Sequence, residues 1–158
     1  MDTSKPTSLV QETEHMLDVL IIDDEELSSD EYRRTLEEEG YRVAVAGIGQ
    51  QGLQIARSDS PSVVLLDIGI RERTGFEALG QLARFRSHAV PIVIAHDGTV
   101  DAAVESMRLG ASDFLAKPVD PEKLLESVRR GIGLSMLRKQ ANAPKAKQDL
   151  LLQGLDLL

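Results

Sequence analysis

Four residues able to do chemistry stand at the ends of short apolar runs. Asp23 and Asp24 follow "VLII", Asp67 closes "VVLLD", and Lys117 follows "DFLA". Apolar runs of this length read as buried strands. In an open α/β sheet, ligands bind beyond the carboxyl ends of the strands. If the strands are parallel, three carboxylates and one ammonium therefore converge on one edge. Clustered carboxylates repel one another and raise each other's pKa unless a cation sits among them. Mg²⁺ suits such a place, because it takes one or two carboxylates, water and a phosphate oxygen. Lys117 supplies a mobile positive charge for an incoming anion. An aspartate can itself be a nucleophile and form an aspartyl phosphate, with metal and lysine balancing charge on the phosphoryl group. The combination suits phosphoryl transfer onto Asp. Any one strand-end Asp is ordinarily a helix cap or a solvated turn residue, and Asp24 or Glu25 could simply favour a following helix dipole. The joint occurrence on the first, third and fifth strands argues against that.

The elements that must position these residues alternate regularly. Residues 27–39 are polar, lack Gly and Pro, and stop at Gly40, which predicts a helix with a glycine C-cap. "YRVAVA" is a second strand, and "GQQGLQIARS" a short helix with Leu53 and Ala56 on one face. After "VVLLDI" and the loop "GIRERTG", "GFEALGQLARF" places Phe76, Leu79, Leu82 and Ala83 at helical spacing. "PIVIA" is a fourth strand, followed by a helix that should turn Val100, Val104 and Met107 inward and end at Gly110. "DFLA" is the fifth strand. Asp120 and Pro121 then sit as N-cap and first residue of a long last helix. Strand and helix alternate five times, which predicts a doubly wound α/β fold: a parallel sheet with helices on both faces.

Composition narrows the function. The 158 residues are 42% hydrophobic, enough for one core, yet only 3% are aromatic, so Val, Ile, Leu and Ala must fill it. No cysteine is present, which excludes disulfides and thiolate chemistry. No apolar run is long enough to span a membrane and the first residues do not read as a signal peptide, so a cytoplasmic protein is expected. The net charge of −8 divides into −12 for residues 1–128 and +4 for 129–158. An acidic body argues against a nucleic-acid surface. Residues 1–15 read as a flexible leader, and 139–158 as a linker and leucine-rich tail without a helix-turn-helix.

As a combination, "VLIIDDEE", "VVLLDIGIRERTG" and "AAVESMRLGASDFLAKPVD" strongly resemble the receiver domain of two-component response regulators, over about residues 16–138. The resemblance implies a flavodoxin-like fold of five strands in the order 2-1-3-4-5. It implies Mg²⁺, and phosphoryl transfer from a histidine kinase or phosphotransfer protein. By position, Asp67 is then the phosphoacceptor, and Asp23 and Asp24 the acid pair for Mg²⁺. Gly69 would lend the metal a backbone carbonyl, Lys117 would pair with the phosphoryl group, and Phe114 would be the aromatic switch or a plain core ring.

Three departures accompany the match. Arg71 stands where the family usually has a loop proline, although Gly75 keeps the later loop glycine. The fourth strand ends in Ala95-His96 where the family places Ser or Thr: counting back from Lys117 selects Ala95, counting forward from Pro91 selects His96. Thr99, beyond Gly98, could supply a hydroxyl from elsewhere. Metal binding and attack need Asp24, Asp67 and Lys117, all present. The readout contact is the altered part: Ala95 cannot make it, and His96 could only as a ring N–H donor.

The first expectation is a phosphorylatable receiver, not an enzyme in its own right, that alters the surface of its fourth helix, fifth strand and fifth helix toward an unknown downstream protein. The second is a pseudo-receiver, an interaction module that does not use phosphorylation. An aspartyl phosphohydrolase would need a cap and a second-step acid that the sequence does not offer. A stripe of Leu124, Val128 and Ile132 on the last helix could support a homodimer, though much of it must already pack on the sheet.

Overall fold

A computed structural model of the chain describes residues 17–47, 50–68, 72–85, 88–96 and 99–141. The elements run β1 (Val19–Ile22), α1 (Glu26–Glu38), β2 (Val43–Ala46), α2 (Gln50–Asp59), β3 (Val63–Asp67), α3 (Glu72–Arg84), β4 (Val90–Ala95), α4 (Val100–Arg108), β5 (Asp113–Ala116) and α5 (Pro121–Ala141). All strand pairs are parallel, in the order β2-β1-β3-β4-β5. The expected leader, Gly69, Arg71, Gly98 and the tail beyond Ala141 lie outside the described residues.

The three central strands are buried at every position because helices cover both faces. Alternate side chains separate into two apolar layers. Leu20, Ile22, Val64, Leu66, Val93 and Ala95 pack with Ala56, Leu79 and Leu82 of α2 and α3. Val19, Ile21, Leu65, Ile92 and Ile94 pack with Leu36 of α1 and Leu124 and Val128 of α5. Aliphatic side chains fill both layers, as so few aromatics require.

The helix ends follow their sequence signals. Gly40 and Gly110 adopt φ of 91° and 113°, left-handed values that close α1 and α4. Asp120 Oδ1 accepts the Glu122 N–H at 2.9 Å and so caps α5.

Two packing expectations need correction. On α4 it is Ala102 and Ser106 that face inward, while Val100, Val104 and Met107 are exposed. The small pair lets the helix lie close to its neighbours, and Ser106 Oγ satisfies itself on the Ala102 carbonyl at 2.8 Å. On α3, Ala83 is exposed and Ala78 takes the inward place. On α5, Leu124 and Val128 are buried against the sheet and Ile132 packs beside them. As expected, much of that stripe packs on the sheet; the exposed large apolar residues of α5 are Met136 and Leu137.

Candidate functional site

The site is built at the carboxyl edge, where hydrogen bonds extend the sheet just beyond its strands. Asp23 N–H donates to the Ala46 carbonyl at 2.9 Å, Ile68 N–H to Ile94 at 2.9 Å, and Lys117 N–H to Ala95 at 2.8 Å. These bonds fix where Asp23, Asp67 and Lys117 leave the sheet.

Asp67 is 2% exposed. Its Oδ2 receives the Lys117 ammonium at 2.9 Å and the Tyr32 hydroxyl of α1 at 3.2 Å. Its Oδ1 is buried without a partner among the described residues. Asp23 is also buried; Oδ1 accepts the Glu25 N–H at 2.9 Å, and Oδ2 has no partner among the described residues. Burial pushes the Asp23 carboxyl up to about 6, the bond from Glu25 works against that, and the charge of Asp67 adds to it. Asp24 is exposed, so the pair divides into a buried and a surface acid.

Two buried carboxylate oxygens without partners among the described residues fit a hard cation. Among the described residues no group of three or more His, Cys, Asp or Glu side chains forms a ready metal cage. The residues therefore fit an ion that takes a few oxygen ligands and keeps water on its other positions, as Mg²⁺ does.

Glu25 adds an outer carboxylate. Its Oε1 lies 3.9 Å from His96 Nε2 and its Oε2 4.0 Å from Lys117 Nζ. Ala95 belongs to the apolar layer of α2 and α3, whereas Asp67 meets Tyr32, a member of the other layer. The next residue, His96, stands on the other side of the pleat, and its exposed ring reaches Glu25. Of the two countings, the one from Pro91 matches this geometry. Phe114 is half-buried against the layer that holds Ala95.

Among known proteins, the family described as "Response regulator receiver domain" matches residues 19–129. The chain belongs to the response regulator receiver family. This receiver is 37% identical over 116 residues to the protein PilH of Pseudomonas aeruginosa, covering 72% of the chain and 95% of PilH. It is 32% identical over 134 residues to a putative NtrX-like response regulator of Rickettsia typhi, and covers 28% of that longer protein. Its fold resembles the CheY-like receiver domain protein of Methanospirillum hungatei, with a TM-score of 0.69 and 27% identity across 77% of the chain and 97% of that structure. It is thus a receiver of the two-component kind, a class of signalling domain. No described helix is long and apolar enough to cross a membrane.

Sequence reasoning missed Tyr32 and Glu25 as parts of the receiver's site. Tyr32 had a signal: it lies four residues before Leu36, on the inward face of α1, and a buried tyrosine needs a partner for its hydroxyl.

Proposed function

We propose that this receiver accepts a phosphoryl group on Asp67 from the phosphohistidine of a histidine kinase or phosphotransfer protein. The observation that carries the proposal is the divided carboxylate of Asp67: Oδ2 meets the Lys117 ammonium, and Oδ1 is buried without a partner among the described residues, as is Oδ2 of Asp23. Oδ2 attacks phosphorus with a lone pair, the phosphorus–nitrogen bond breaks, and its electron pair stays on the imidazole of the donor. Lys117 is 13% exposed at its side chain and follows the charge from Oδ2 onto a phosphoryl oxygen. Asp23, Asp24 and Asp67, with the carbonyl of Gly69, would hold Mg²⁺. When bound, that ion supplies charge neutralisation to the carboxylates and the incoming phosphate.

The readout surface is α4, β5 and α5, where Val100, Val104 and Met107 stand exposed in one stripe for a downstream protein. A second reading is favoured by the end of β4: a pseudo-receiver that keeps the fold and binds a partner without phosphorylation, since His96 stands there in place of a Ser or Thr and its ring is turned toward Glu25.

Incubation with acetyl phosphate and Mg²⁺, followed by intact-mass measurement, tests the proposal. A phosphoryl adduct that needs Mg²⁺ and is absent from Asp67→Asn is expected. An unmodified wild-type protein would favour the pseudo-receiver.

A further inference from the structure

We propose that Tyr32 is a phosphoryl-binding residue: its hydroxyl bonds Asp67 Oδ2 in the unphosphorylated protein and passes to a terminal oxygen once the phosphoryl group is attached. The inference rests on Asp67 being the acceptor.

A carboxylate oxygen offers about two acceptor positions. At Oδ2 both are taken, by Lys117 at 2.9 Å and Tyr32 at 3.2 Å, while Oδ1 has no partner. Oδ1 of Asp67 and Oδ2 of Asp23 are both buried without a partner among the described residues, which leaves these two oxygens for a cation and Oδ2 of Asp67, beside Lys117, for the phosphorus. The new bond uses one of the lone pairs of Oδ2 and leaves an ester oxygen, a poor acceptor. Both donors must then find another.

Lys117 has a flexible stem and can follow the charge. Tyr32 cannot move far. It is 6% exposed, and its ring packs in the layer of Val19, Ile21, Leu36 and Leu65. Its hydroxyl bond is buried, and leaving that hydroxyl unpaired is unfavourable. The terminal phosphoryl oxygens are the acceptors within reach of a group already beside Oδ2, and an ionised oxygen makes the stronger bond. A phenol carries its proton at neutral pH, so Tyr32 acts as the donor in this contact. Ala95 lies in the opposite layer and His96 is turned toward Glu25, so no described residue of β4 competes for this contact. Phosphorylation would thereby be felt directly by α1.

Tyr32→Phe, titrated with beryllofluoride in Mg²⁺, gives a test by sign. If the hydroxyl passes to the phosphoryl mimic, whose fluorines stand for the terminal oxygens, its loss weakens binding by about fivefold. If it serves only the resting carboxylate, its loss leaves binding equal or tighter, and the inference falls. A second measurement needs no change at Tyr32. The chain has two tyrosines and no tryptophan, so in Tyr41→Phe the ultraviolet emission reports Tyr32 alone. Emission should change when beryllofluoride joins Mg²⁺ and should not change with Mg²⁺ alone; a constant signal overturns the inference. Wild-type protein that takes no beryllofluoride would overturn the acceptor reading and this inference with it. Uptake by wild type and Tyr32→Phe alike would overturn the role of Tyr32 only.

Discussion

Asp67 and Ala95 address opposite faces of the sheet: the carboxylate meets Tyr32 in the layer of α1 and α5, and the methyl group packs in the layer of α2 and α3. Restoring a hydroxyl at Ala95 should therefore fail to restore a phosphoryl contact. Ala95→Thr would bury a hydroxyl among Val93 and Leu66, destabilising the fold by about 1 to 3 kcal/mol. His96→Thr changes an exposed residue on the acceptor's side of the pleat and should leave stability within about 0.5 kcal/mol. Urea unfolding of both variants, with beryllofluoride titration, checks this. Tighter binding by Ala95→Thr would contradict the facing assigned to the two residues.

The sheet was legible because β1, β3 and β4 are apolar at nearly every position, a pattern that follows from coverage on both faces. The acid edge was legible because Asp23, Asp67 and Lys117 each interrupt such a run. Helix facing was less so. Val100, Val104 and Met107 form a genuine stripe, but periodicity states that a stripe exists and not what it faces; close packing of Ala102 and Ser106 decided that. Tyr32 was hidden for a related reason. Its contact joins residues 35 positions apart, and no local pattern encodes a partner at that distance.

Asp23 should make the metal-free protein less stable as pH rises. Its folded carboxyl titrates near 6 against 3.8 when unperturbed. Between these values the folded state binds more protons than the unfolded one, so stability falls with rising pH and then levels off. The ionised group destabilises the fold by about 2 to 3 kcal/mol at neutral pH. Asp23→Asn should recover most of that above pH 6 and little near pH 4. Urea unfolding in EDTA across this window reads the difference, and parallel curves for the two proteins would contradict it. The same variant should bind Mg²⁺ more weakly, since a carboxamide carries no charge.

The Asp67–Lys117 pair should show strong coupling. Removing only the cation leaves a buried carboxylate with Tyr32 as its one remaining donor among the described residues, and breaking a buried pair in this way destabilises by about 3 to 5 kcal/mol. Lys117→Met should do so, and Asp67→Asn added to it should return most of the loss. Asp67→Asn alone should be milder, because Lys117 still lies 4.0 Å from the exposed Glu25 carboxylate. A double-mutant cycle by chemical unfolding measures the coupling. Equal stability of Lys117→Met and the double variant would refute it.

Two glycines of α3 should respond in opposite directions to the same substitution. A Cβ on Gly75 would overlap Ile68 Cγ2 and stand 2.6 Å from Ile68 Cβ. Ile68 is 1% exposed and directly follows Asp67, so it has no room to yield and α3 must shift. Overpacking of this kind destabilises by about 1 to 3 kcal/mol. At Gly80 nothing lies within 4 Å of an added Cβ, so alanine there brings helix propensity alone and stabilises by about 0.5 to 1 kcal/mol. Thermal unfolding should therefore rank Gly80→Ala above wild type and Gly75→Ala below it. Only Gly75→Ala should also weaken beryllofluoride binding, because any shift of Ile68 is passed along the backbone to Asp67. A Gly75→Ala protein as stable as wild type would show that α3 does not sit against the acceptor strand as closely as described.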